Sequence, residues 1–123
     1  MSRKTILLKD FAACERFLGG KTQRKLPSVR ETYVVSLIPG IVSIVYRGTA
    51  VVTHYRDGRT LLRSGGYRTV TTKRRMNQHS KCQVFQKNHV WYVSLDNHTQ
   101  EYRDSMVVCG LKPHDYHQTK TLF

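Results

Sequence analysis

Turn-forming dipeptides punctuate the middle of the chain and leave only short β-branched runs between them. Pro39-Gly40, Arg47-Gly48 and Asp57-Gly58 each sit between segments rich in valine, isoleucine, threonine and tyrosine. That spacing predicts strands over residues 33–38, 41–46, 49–55 and 60–63, because connections so short join antiparallel neighbours. Asp57-Gly58 is the strongest of the three signals, since its residues accept the positive φ of a type I′ turn. Residues 84–86 and 90–95 predict another hairpin around Lys87-Asn88-His89. The economical topology is an antiparallel meander sheet of about five or six strands in an α+β fold.

Helical spacing appears at two places outside the strands. Leu7, Leu8, Phe11, Cys14 and Leu18 recur with the period of an amphipathic helix over residues 5–18, and Gly19-Gly20 supplies its stop. Residues 21–30 then read as a basic surface loop. A short basic helix is expected after the bend Ser64-Gly65-Gly66-Tyr67-Arg68-Thr69, starting at Thr71 or Thr72. Beyond residue 95 the pattern is undecided: residues 106–109 read as an edge strand open to pairing across a dimer, and residues 111–123 have no period. The 123 residues form one domain, with an N-terminal helix (1–20), a β-rich core (32–95) and a tail (96–123).

Lysine and arginine number 21 against 8 acidic residues, a formal net charge of +13. A field of that sign and size draws polyanions, so nucleic acid is the first partner to expect, with an acidic protein behind it. No apolar run approaches the roughly 20 residues of a membrane span, and the N-terminus lacks the uninterrupted apolar stretch of a signal peptide. Three scattered cysteines, Cys14, Cys82 and Cys109, fit a reducing cytosol better than a disulfide framework.

The charge is densest where the second helix is expected. Nine cations lie between Arg56 and Lys87 against the single acid Asp57. With a helix starting at Thr71 or Thr72, Lys73, Arg74 and Arg75 occupy its first turn, where the helix dipole already disfavours cations. An anion docked there removes the conflict. The phosphate-binding set expected on this ground is Arg63, Gly65, Gly66, Tyr67, Arg68, Thr71, Thr72, Lys73, Arg74 and Arg75. The glycine pair lets a strand or a ligand approach the backbone closely. Tyr46, Tyr55, Tyr67, Trp91 and Tyr92 are interspersed with the cations, and strand alternation places arginines and rings on one sheet face. Trp91 alone among them reads as core. The spacing is not that of a Walker loop.

Catalytic and metal chemistry find less support. His79 and Cys82 lie three residues apart, as do His114 and His117, but structural zinc favours cysteine-rich knuckles, and solvent-exposed histidines are the simpler reading. His54 with Lys73 or Arg75 is the one arrangement a nuclease would use, and the acids are too dispersed for a metal-dependent one. The expectation is therefore a protein with no enzymatic activity, no cofactor and no metal.

The order Gly19-Gly20-Lys21, Arg24-Lys25, Gly48-Thr49, Val51-Val52-Thr53, Asp57-Gly58, Ser64-Gly65-Gly66-Tyr67-Arg68-Thr69 and Thr71-Thr72-Lys73-Arg74-Arg75-Met76-Asn77 resembles a family of small bacteriophage proteins. Its pattern is SGG(W/Y)RTxTTKxRxN with a downstream Trp-Tyr pair, here Trp91-Tyr92. The resemblance spans about residues 19–93. It implies a phage origin and a place in the host cytoplasm, and carries no activity with it. The expected function is that of a small phage accessory protein binding DNA or RNA. The alternatives are modulation of a host protein (a polymerase, nuclease or defence factor) and binding of a small phosphorylated ligand.

Overall fold

A computed structural model describes residues 5–109. The elements follow in the order α1 (Phe11–Leu18), β1 (Gln23–Lys25), β2 (Thr32–Ile38), β3 (Ile41–Tyr46), β4 (Thr49–Tyr55), β5 (Thr60–Leu62), α2 (Val70–Gln78), β6 (Gln83–Lys87), β7 (Val90–Leu95), β8 (His98–Glu101) and β9 (Met106–Cys109). The fold is α+β, and every strand pair is antiparallel. Strands β1 to β5 form a meander that β9 completes at the far edge, while β6, β7 and β8 form a separate three-stranded sheet.

Two elements escaped the sequence pattern. Strand β1 lies inside the presumed basic loop and has every residue exposed, so it shows no apolar alternation. Strand β8 is likewise exposed throughout. Both are held by backbone pairing to a neighbour rather than by burial of side chains. The N-terminal helix is shorter than expected: Asp10 caps it, its carboxylate accepting from Ala13 N at 2.8 Å, and residues 5–9 lie outside any helix or strand. Leu8 is nonetheless buried; tertiary contact, not helical period, explains the apolar residue there.

Turn chemistry also differs in detail. Arg47-Gly48, Asn88-His89 and Asp96-Asn97 each have two consecutive positive φ values, the signature of type I′ hairpins. Asp57 does not. There the Gly58 N–H bonds to Tyr55 O, and Tyr55 N–H bonds to Arg59 O. With only Gly58 at positive φ, the loop is a three-residue hairpin ending in a glycine bulge.

One core serves both sheets. Val34, Val42, Ile44, Val52 and Leu62 from the larger sheet join Val84, Trp91 and Val93 from the smaller, with Cys14, Leu18 and Met76 from the helices. Tyr102, Met106 and Val108 are buried in the same cluster, so three residues of the tail join the core while β8 stays exposed. Residues 110–123, with His114 and His117, lie outside the described residues. Burial pushes the Cys14 thiol up to about 12, aided by Asp10, which keeps it protonated and unreactive.

One irregularity positions the site. Ile44 faces Val52 but Val45 faces Ala50, so β4 carries one extra residue at this point. A bulge of one residue reverses which side chains share a face. It returns Thr49, opposite Tyr46, to the face that α2 covers.

Candidate functional site

Helix α2 begins at Val70, one or two residues earlier than the sequence suggests, and this changes the meaning of its cations. Thr69 is the N-cap, its hydroxyl accepting from Thr72 N at 3.1 Å and bonding to Thr72 Oγ1 at 3.0 Å. The first turn is therefore Val70, Thr71 and Thr72. Arg75 falls in the last turn, where a cation suits the dipole. The conflict expected between Lys73-Arg74-Arg75 and the helix start does not exist. The capping signal was present in the sequence as Thr69 three residues before Thr72, masked by the two hydroxyls nearer the cations.

The glycine bend is fixed from beneath. Asp104 Oδ1 accepts from Ser64 N (3.0 Å), Ser64 Oγ (2.7 Å) and Tyr102 OH (2.5 Å). Burial alone would raise this carboxyl, but hydrogen bonds from Tyr102, Ser64 and the Gly65 N–H outweigh it and hold the group below the usual range. Burial, and then Asp104, push the Tyr102 phenol upward. At Gly65 (φ +64°) an added Cβ would stand 2.7 Å from Thr49 Oγ1. The close approach foreseen for this pair is thus made by a strand, at Gly65.

Between the bend and the helix start lies a cleft of about 450 Å³, walled by Tyr46, Arg47, Thr49, Ser64, Tyr67 and the α2 threonines. A second depression of about 710 Å³ continues from it past Tyr46, Arg47 and Thr71 to Arg30, Arg74 and Arg75. Together they make one groove along α2. Of the expected set, Tyr67, Thr71, Thr72, Arg74 and Arg75 line it. Arg63 is exposed outside it, and Gly65 and Gly66 shape the bend without lining it.

Arg68 and Lys73 turn the other way. Arg68 lies over Trp91 and Tyr102, at 5.7 and 5.1 Å from the ring centres. Lys73 lies 5.5 Å above Trp91 and reaches Gln86 Oε1. The single basic and aromatic sheet face is not formed either. Arg59 covers Tyr55, Arg75 and Arg47 cover Tyr46, and Tyr92 stacks on Phe85; intramolecular cation–π contact uses most of the rings. Trp91 is core, as expected.

Arg75 is the unusual member of the groove. It is only 7% exposed. Its Nε donates to Thr32 Oγ1 at 3.2 Å, and Nη1 donates to Gln78 Oε1 at 3.1 Å. The ion pairs among the described residues are Arg47–Glu31 and Arg59–Asp57, both exposed, so no carboxylate neutralises this guanidinium. Burial and the nearby Arg74 lower its pKa, with Tyr46 acting against them. Arg30 and Arg47 were missed because they precede α2 by more than twenty residues and carry no local motif.

The histidines are not uniformly exposed. His54 and His79 are buried side by side. His54 Nε2 points at Leu8 O (2.9 Å) and His79 O (2.8 Å), and Nδ1 meets Thr60 Oγ1. His79 Nδ1 accepts from Leu8 N at 3.2 Å. The two rings thus grip both backbone groups of Leu8, and neither reaches the groove. The nuclease pairing of His54 with Lys73 or Arg75 is not formed. No group of three or more His, Cys, Asp or Glu suited to a metal ion occurs among the described residues. No helix among them is long and apolar enough to cross a membrane.

No curated protein and no solved structure matches the chain. A family model described as Kyanoviridae Gp96 protein matches residues 18–109, a span that takes in the bend, α2, both sheets and most of the groove. The chain belongs to this family of small phage proteins.

Proposed function

We propose that this protein binds nucleic acid without turning it over, seating phosphates in the groove between α2 and the β3–β4 turn, in the cytoplasm of the phage's host. The observation that carries this reading is Arg75. Arg75 is a largely buried residue whose guanidinium faces the depression with no carboxylate beside it, so a counter-charge arriving there is favoured. It lines the depression shared with Arg30, Arg47 and Arg74. A phosphate backbone supplies a counter-charge to Arg30, Arg74 and Arg75, and competes with Glu31 for Arg47. His54 and His79 bond to backbone groups away from the groove, so neither serves it as a general base.

Binding should fall by orders of magnitude between low and physiological salt if six or more phosphates are engaged. Arg30→Glu and Arg74→Glu should each weaken binding to every sequence alike and lower the salt slope by about one. Lys87→Glu, at the β6–β7 turn, makes the same change in net charge outside the groove and should have little effect. Equal losses from all three variants, or no retention on DNA or RNA at low salt, reject the reading. A host protein captured after nuclease treatment, and lost with Arg74→Glu, would assign the groove to an acidic protein instead. The 450 Å³ cleft also has the volume of a small-ligand site. Concentration-dependent thermal stabilisation by free nucleotides would favour that second reading.

A further inference from the structure

Tyr67 stands apart from every other aromatic residue described. It is 71% exposed, whereas the remaining phenylalanine, tyrosine and tryptophan rings among the described residues are buried or half-buried. Most of those rings already lie against a cation or another ring. An exposed ring is ordinary when it rides on a loose loop. This one does not. The Tyr67 N–H bonds to Ser64 O at 3.0 Å, its carbonyl accepts from Thr69 N at 3.1 Å, and Ser64 is anchored twice to Asp104. The ring is therefore presented to solvent on a braced bend, beside the cap of α2.

Its neighbours in the cleft are of a different kind. Arg47 and the hydroxyl residues Thr49, Ser64, Thr69, Thr71 and Thr72 share the cleft with it. Ser64, Thr69 and Thr72 bond within the protein, which leaves Arg47, Thr49 and Thr71 to face a ligand; with the flat ring at the mouth they match the two halves of a nucleotide, base and phosphate. In a duplex both faces of each base are already stacked, so a side chain gains a base face only from an unpaired strand.

Resting on the nucleic-acid reading above, we infer that Tyr67 is a base-stacking residue and that the partner is single-stranded nucleic acid. The base lies on the Tyr67 ring while the phosphate beside it enters the cleft at the start of α2. Stacking tolerates any base, so the preference is for strandedness over sequence.

The test measures fluorescence anisotropy with labelled oligothymidylate or oligouridylate of about 15 nucleotides, the reach of one small binding site. A duplex of the same length serves as comparison. The unmodified protein should bind the strands more tightly than the duplex. Tyr67→Ala should weaken strand binding by about five- to a hundredfold, the range for losing one stacked base, with the salt slope and duplex affinity unchanged. Tyr67→Phe should retain strand binding, since the ring and not the hydroxyl makes the contact. Because the side chain is largely solvent-exposed, both variants should keep the parent melting temperature. Equal loss on strand and duplex, no loss on the strand, or a Phe variant as weak as the Ala variant overturns the inference while leaving groove binding intact. Failure of the unmodified protein to bind strand or duplex takes down the groove reading, and the inference with it.

Discussion

Acid should destabilise this protein chiefly through His79, in a pH window that its environment defines. The ring is 1% exposed, and its Nδ1 accepts the Leu8 N–H. A proton added there replaces an acceptor with a donor and drives the two N–H groups together. Burial, followed by Arg75, His54 and Lys9, brings the pKa from 6.5 down to about 4. The unfolded chain therefore takes up a proton near pH 6.5 that the folded chain refuses until about pH 4. Stability conferred by the neutral ring is complete above pH 6.5 and is lost as pH falls toward 4. Each pH unit across that window contributes about 1.4 kcal/mol, about 3 kcal/mol in all. That is a large share of the ~5–15 kcal/mol typical of a domain. His54, lowered by burial against its bonds to Leu8 and His79, adds to the same slope.

Urea unfolding at pH 7, 6, 5 and 4 measures the loss. His79→Asn supplies the control, because an amide oxygen can accept the Leu8 N–H without titrating. The variant starts less stable but should decline less steeply between pH 6.5 and 4, by about 3 kcal/mol. Parallel curves for the two proteins would refute the reasoning. Lowered carboxyls such as Asp57 and Asp104 lose their contributions only at more acid pH, so they do not blur the comparison.

Two further outcomes concern the groove. Gly65→Ala should cost about 1–3 kcal/mol, since its Cβ meets Thr49 at a left-handed φ. Adding Thr49→Ala should recover the steric part but not the backbone part, as chemical denaturation of the double variant would show. Glu31→Gln should strengthen oligothymidylate binding several-fold at low salt. Its carboxylate pairs with Arg47 in a solvent-screened, exposed bridge that adds little to the fold, so the melting temperature should barely move.

The strands β2 to β4 were legible because each is flanked by turn residues and alternates by burial along β2 and β3. The β6–β7 hairpin was legible for the same reason. Strands β1 and β8 were not, since neither buries a side chain. Helix α2 was legible as an element but not in its starting point. Thr69, Thr71 and Thr72 are chemically equivalent as caps, and the bend that ends at Thr69 selects among them. The earlier start moved Arg75 from a dipole conflict to a favourable last-turn position, so the candidate anion site rests on a largely buried cation and not on the helix start.

Turn spacing, apolar runs and net charge are local or additive properties, so the amino-acid order alone determined an antiparallel α+β domain carrying a strongly positive field. Which cations converge was decided by tertiary structure. The bulge in β4 turned Thr49 and the neighbouring Arg47 turn toward α2, while Trp91 and Tyr102 drew Arg68 aside. The physical reason is that a charge acts through distance in space, and residues 30, 47 and 74 become neighbours only when sheet and helix pack on a common core.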